Sequence, residues 1–336
     1  MNTSNMIRSA EQNRAGAPML EKSLLSLLSP GGRRGLSILI YHRVLPHKDP
    51  LFPGEVDRAE FSAQMAALAS RFNVLPLLDA VRMSKAGTLP PRAAAITFDD
   101  GYADNAEVAL PVLQQHGLHA TFFVATGFLN GGRMWNDSVI ELVRAAPDGE
   151  LDATPLGLGR HPLHTLADRQ RAIPALIGQL KYLPMTERLA QVERLAQLAG
   201  CALPDNLMMT SDQVRKLHVA GMGIGAHTVN HPILARLPDD QAREEIAQGK
   251  LALEDIIGAH VSLFAYPNGK PGEDYLPQHV AMARDLRFEG AVSTSWGASR
   301  GRPDPFQLPR FTPWDRSRLR FILRLARNLA NSAQLA

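Results

Sequence analysis

Short apolar runs alternate along the chain with stretches in which apolar residues recur at helical spacing. Residues 36–41 (LSILIY) are apolar, rich in strand formers and bounded by Gly35 and Pro46, which predicts a buried strand. Helical spacing follows over 60–72, and a second apolar run, 93–98 (AAAITF), stops abruptly at two acids. The pattern then predicts a helix over 103–116 stopped by Gly117, and strands at 120–124, 224–227, 262–266 and 290–293. Thr210 and Gln213 stand in capping-box spacing, and Pro238 and Asp239 open a long helical pattern that Gly258 ends. Such alternation predicts a parallel α/β layout, as a barrel or an open sheet. In either case catalytic groups belong at the C-terminal ends of the strands.

The rhythm breaks over 130–210, where 136–146, 165–181 and 186–199 read as helices around a Gly- and Pro-rich loop at 153–162. This region is expected to be an insertion. The domain organisation is therefore a polar N-terminal lead over 1–35, a main domain over 36–312 carrying the helical insertion, and a basic amphipathic helix over 313–336. In that last segment Arg316, Arg320, Arg324 and Arg327 share one face and Phe321, Ile322, Leu325 and Leu329 the other. A helix of this kind packs on its own domain or lies on an anionic membrane surface, so peripheral contact through 316–330 at the inner face is one expectation.

Composition narrows the classes. With 45% apolar and 21% charged residues among 336, the chain can bury a full core and is neither disordered nor coiled coil. The 36 Lys and Arg exceed the 33 Asp and Glu by only three, too few for a dedicated polyanion binder, and no nucleic-acid partner is expected. The surplus sits at the ends, which leaves residues 38–315 mildly acidic and directs any anionic partner to the tails. Neither a membrane-spanning run nor a secretion signal is evident, so the cytoplasm is the default compartment. Cys201 is the one cysteine and is expected to pack.

Two sequence features carry chemistry. Asp99 and Asp100 follow the second apolar run and precede Gly101, which presents adjacent carboxylates where a strand opens into a loop. Burying both is costly unless one binds a cation and the other is hydrogen-bonded or acts as a base. The bland alternative is a turn whose acids cap the next helix. His227 and His231 follow the strand at 224–227; if the segment turns helically, both imidazoles face one side and can hold one metal ion. With 11 histidines in the chain, that spacing alone is commonplace. One carboxylate and two imidazoles suit zinc with open positions for water and substrate, and a second carboxylate beside them is a ready general base. The same trio also matches the facial triad of non-haem Fe(II) oxygenases, which have no need of the extra acid.

The residues Thr97, Phe98, Asp99, Asp100, Gly101 and Tyr102 with Asn105, followed by His227, Thr228, Val229, Asn230 and His231, resemble the first two motifs of the NodB-homology polysaccharide deacetylases, carbohydrate esterase family 4. Phe264, Ala265, Tyr266, Pro267, Asn268 and Gly269 resemble the third motif, Leu308, Pro309 and Arg310 the start of the last, and Tyr41, His42, Arg43 and Val44 the opening of the bacterial exopolysaccharide branch. The resemblance covers about 36–310. It implies a distorted (β/α) barrel with fewer than eight strands and metal-dependent removal of N-acetyl groups from amino sugars of a polysaccharide, oligosaccharide or lipid-linked glycan, with a non-catalytic carbohydrate-binding relic of the same fold as the alternative.

By the same resemblance Asp100, His227 and His231 would hold a divalent metal, normally zinc, and Asp99 would take a proton from the attacking water. A backbone N–H in the third motif, here at Asn268 beside Tyr266, would meet the oxyanion, and Thr228 would brace the histidine loop. Tyr102 and Trp135 are candidates to stack on sugar rings and Trp296 to wall the acetyl methyl. Two departures stand out. Ala265 occupies the place of the arginine that orients the catalytic aspartate in many members, which makes Arg310 the candidate for that charge. Arg310 also stands where the family's histidine acid is expected, and arginine cannot readily donate a proton. His42, at the end of the first strand, is then the leading candidate acid, with protonated Asp99 second.

Overall fold

The computed structural model describes residues 22–329 apart from 24, 33, 34, 300–302, 314 and 316. Most of the polar lead, Arg316 and the last seven residues lie outside the described residues.

Seven parallel strands form the barrel wall in the order β1 (Ser37–Tyr41), β3 (Ala93–Phe98), β4 (Thr121–Val124), β7 (Gly223–Ala226), β8 (Leu263–Ala265), β9 (Gly290–Trp296) and β10 (Leu308–Arg310). The short β2 (Asn73–Val74) pairs with the first residues of β3, before β4 takes over along the last two. Closure comes just past β10, where Phe311 accepts from Ile40 N–H at 3.0 Å and donates to the Ile38 carbonyl at 2.7 Å. The expected barrel of fewer than eight strands is thus the fold, with helices packed outside it.

Burial on both faces explains the unbroken apolar strands: all residues of β1 and β3 are buried. Outward-facing Tyr41, Phe98 and Phe122 stack, with ring centroids 5.4 and 4.8 Å apart, and Phe61 of the helix Arg58–Arg71 meets Tyr41 edge-on. Gly225 lies within β7, where a Cβ would fall 2.3 Å from the Phe123 ring; the glycine is what allows β4 and β7 to carry that ring between them.

The region 130–210 builds its own core from the helices Trp135–Ala145, Leu166–Leu180 and Met185–Ala199, with Leu51 joining from the barrel side. Its loop at 153–162 is not wholly irregular, because β5 (Glu150–Asp152) and β6 (Arg160–Pro162) form an antiparallel ribbon at its base. The segments were too short to show a period-2 pattern. Cys201 is half-buried against this core. The helix predicted over 103–116 begins with a π-helical turn, Asn105–Ala109, before becoming regular at Leu110–Gln115. Near the chain's end, the helix Arg318–Asn328 buries Phe321 and Leu325, with Leu329 just beyond it, against the domain, so that apolar face is not free to enter a bilayer. No helix among the described residues is long and apolar enough to cross a membrane.

Candidate active site

β3 ends at Phe98, and the Asp99 N–H extends its ladder by donating to the Tyr41 carbonyl at 2.9 Å. Successive side chains of a strand point to opposite faces, so two adjacent acids should diverge. Asp100 instead takes the left-handed conformation, with φ 76°, and both carboxylates line one pocket of about 510 Å³. Four of the seven non-glycine residues with positive φ among the described residues are Asp100, Thr228, His231 and Asn268, all at this site. Left-handed backbone at non-glycine residues costs free energy and persists where surrounding contacts enforce it.

The two buried acids are compensated differently. Asp99 forms a bidentate pair with Arg310, both N–O distances 2.6 Å. Arg310, only 1% exposed, also donates through Nε to the Ser293 carbonyl at 2.9 Å and through Nη1 to Thr97 Oγ1 at 3.3 Å. Burial pushes the Asp99 carboxyl up, but the charges of Arg310 and His227 more than offset this and hold it below the ordinary range. Asp100 Oδ1 faces His227 Nε2 at 3.4 Å and His231 Nε2 at 3.5 Å; burial again raises the acid, and the imidazoles outweigh it to leave Asp100 well below the ordinary range.

These three donors fit a metal ion. A tetrahedral site with bonds of ~2.0–2.1 Å places its donors ~3.3 Å apart, close to both observed separations. All three ligand atoms lie within 4.8 Å of one another. His227 donates from Nδ1 to the Ala265 carbonyl at 2.8 Å, which turns Nε2 toward Asp100; burial lowers this imidazole, but Asp100 and Asp99 outweigh it and raise it, so Nε2 gives up its proton when a cation binds. Burial lowers His231 to about 4, which leaves that imidazole neutral at pH 7 as a ligand must be.

The histidine loop is not the helical turn that the spacing suggested. Thr228 and His231 are both left-handed, and the rings meet edge-on with centroids 4.7 Å apart. Thr228 Oγ1 donates to the His227 carbonyl at 2.5 Å and accepts from His231 N–H at 3.0 Å. Glu245, on the helix Asp239–Ile257, accepts from the N–H groups of Val229 and Asn230 at 3.0 and 2.8 Å and from Asn230 Nδ2 at 2.7 Å. One turn on, Gly249 presses on Thr228, where a Cβ would lie 2.7 Å from the backbone. The sequence reading missed Glu245; its visible signal was a glycine four residues later inside a strongly helical stretch.

His42 follows β1, is exposed at the pocket mouth, and has its carbonyl held by Asn105 Nδ2 at 2.9 Å. Next to it Asp104 pairs with Arg43 Nε at 2.8 Å and accepts from Val44 N–H at 3.1 Å, which pins the start of that loop. Asn268 lines the pocket in a left-handed turn, and among the described residues no acceptor takes its N–H.

Other expected site residues fall elsewhere. Tyr266 is core: its ring stacks on Tyr275 at 3.9 Å and its hydroxyl donates to the Phe306 carbonyl at 3.0 Å. Tyr102 is buried under the Arg43 guanidinium, 4.7 Å from its ring centroid, so its face cannot receive a sugar. Its hydroxyl donates to Asp137 Oδ1 at 3.1 Å. Trp296 lies flat on Phe311 and is not part of the pocket lining, and Trp135 packs in the insertion under Arg188. Asp137, another residue the sequence did not single out, is buried beside Tyr102; burial and the nearby Asp100 charge raise it to about 7.

The polysaccharide deacetylase family profile matches residues 86–149 and 188–290 and passes over 150–187. A Bacillus subtilis protein named as a polysaccharide deacetylase, YxkH, is 22% identical over 266 residues, which are 79% of this chain and 66% of that protein, just under two thirds of its length. Among solved structures, IcaB from Ammonifex degensii shares the fold with a TM-score of 0.58 at 19% identity, over 87% of this chain and 97% of that one. The Streptococcus pyogenes deacetylase PplD, solved in complex with acetate, aligns with a TM-score of 0.55 at 18% identity, over 82% and 91%.

Proposed function

The chain belongs to the polysaccharide deacetylase family, and from that premise we propose that it hydrolyses the N-acetyl amide of an amino sugar within a glycan. The observation that carries this reading is the Asp99–Arg310 pair standing beside the Asp100, His227 and His231 set in one pocket. A divalent cation on that set, zinc by the chemistry of its donors, would supply Lewis acidity to the acetamide carbonyl and to the attacking water.

The chain's own groups do the rest. Asp99 takes the water's proton on a lone pair that its bonds to Arg310 leave free. Arg310 keeps that carboxylate ionised and aimed. As hydroxide adds to the carbonyl carbon, negative charge grows on the acetamide oxygen, and the Asn268 N–H, which has no acceptor among the described residues, would receive it. Breaking the C–N bond then requires a proton on the leaving nitrogen. His42, exposed at the mouth, would deliver it, and acetate and a free amino sugar result.

An Fe(II) oxygenase would share the ligand trio but would have no use for a second buried acid locked to an arginine. Acetate release from N-acetylglucosamine oligomers, assayed with and without chelator and without oxygen, tests the reading. Asp99→Asn should reduce turnover about a thousandfold with metal content unchanged; unchanged turnover refutes the assignment of the base.

A further inference from the structure

Residues passed over by the family profile reach the mouth of this pocket. The insertion helix Leu166–Leu180 delivers Lys181 and Tyr182 to the lining of the pocket that also holds Asp100, His227 and His231. Their turn is fixed from behind, since Lys181 N–H donates to the Ile177 carbonyl at 2.9 Å and the Lys181 carbonyl accepts from Arg188 at 3.1 Å. Tyr182 is 63% exposed, a large share for an aromatic ring fixed at a pocket edge. Lys181 Nζ lies 5.7 Å from its ring centroid and the Arg236 guanidinium 5.5 Å. Arg236 belongs to the short turn Leu234–Arg236 that follows His231, and that turn is tied to the third-motif loop through Ala235 N–H and the Asp274 carbonyl at 3.0 Å.

The charges around this rim are unequal in their pairing. Lys270 has Glu273 at 3.4 Å, and its backbone N–H donates to Asp274 Oδ2 at 3.0 Å. Among the described residues, no carboxylate lies within 4.0 Å of Lys181 or Arg236. These two cations without acidic partners lie at the pocket rather than at the tails where charge along the chain pointed.

We propose that Lys181, Tyr182 and Arg236 form a subsite for an anionic group carried next to the N-acetylated sugar. The tyrosine face takes a sugar ring and the two cations take the charge. The substrate class is thus an acidic glycan, one bearing a uronate carboxylate or a sugar phosphate, rather than a neutral N-acetylglucosamine polymer. This rests on the deacetylase reading and adds the substrate class to it.

The test compares acetate release from three probes at low salt. They are N-acetylglucosamine tetrasaccharide, a tetrasaccharide alternating N-acetylglucosamine with glucuronate, and N-acetylglucosamine 1-phosphate. Either acidic probe should exceed the neutral one in kcat/KM by about tenfold, from two exposed charge contacts of modest strength. Which acidic probe leads identifies carboxylate or phosphate as the anion. The preference should fall toward unity near 1 M salt, where the screening length is ~3 Å. Lys181→Gln with Arg236→Gln should abolish the preference, bringing the acidic probes to within about twofold of the neutral one. Equal kcat/KM on all probes, or an equal loss on all in the double variant, overturns the proposal while leaving the deacetylase reading intact. Binding of the same probes to Asp99→Asn, followed by calorimetry, keeps the two readings apart: a tenfold binding preference without turnover in the wild type supports the subsite against the reaction, and no preference in either assay refutes the subsite.

Discussion

The floor of the pocket and its rim are held in different ways. In the floor, Asp99, Arg310 and His227 are buried, and their polar atoms are committed to one another or to backbone carbonyls. At the rim, His42, Tyr182 and Arg236 are exposed, and what fixes them is mainly the backbone beneath. A buried charge must be matched in place, so floor residues cannot change singly without a large penalty. Rim residues face water, so replacing one carries little folding penalty. On the proposed reading the floor holds the metal set and the base, and the rim holds the proton donor and the contacts that choose the glycan.

The largest break in that contrast should come from Arg310→Met. It leaves Asp99 buried without its partner, and unfolding by urea should show a loss of about 3–5 kcal/mol, with Asp99→Leu added to the same chain recovering much of it. A loss under about 1 kcal/mol would mean that the floor is as permissive as the rim. His42→Gln tests the rim as a proton donor: kcat should drop about a hundredfold with stability within 0.5 kcal/mol or so of the parent. Unaltered kcat would return the acid's role to Asp99.

A finer probe is Glu245→Gln, which keeps the shape but removes the charge that gathers the Val229 and Asn230 N–H groups. Metal affinity, measured by competition with a chromophoric chelator, should weaken about tenfold, while the loop retains its backbone conformation.

The last probe concerns Asp137, where insertion and barrel meet. Its folded value of about 7 lies above the ~3.9 of an unfolded chain, so the folded state binds the extra proton across that window. Stability therefore falls as pH rises from about 4 through about 7. Asp137→Asn removes the contribution, and its advantage over the parent in metal-free buffer should grow to about 1–3 kcal/mol by pH 8. A pH-independent difference would show that Asp137 is charged throughout.

Sequence alone carried the barrel further than it carried the site. The run AAAITF matches β3 to the residue, because burial on both faces leaves an apolar signature that no loop imitates. Asp100, His227 and His231 were legible for the same local reason: strand ends announce themselves. The left-handed turns that bring them together were not, since a non-glycine residue adopts such a conformation only when distant contacts impose it, as Gly249 does on Thr228. Tyr102 and Tyr266 show the opposite failure. Both flank motif residues, yet Arg43 covers one and Tyr275 the other, and neither partner is adjacent in sequence.

The ion pair between Asp99 and Arg310 joins the second strand of the wall to its last. During synthesis, a nascent chain emerging from the ribosome would have all three metal-binding side chains available some eighty residues before the guanidinium appears. Until β10 docks, the Asp99 carboxylate lacks the guanidinium that fixes its aim. On the proposed reading, completion of the cylinder and readiness of the base are thus a single event.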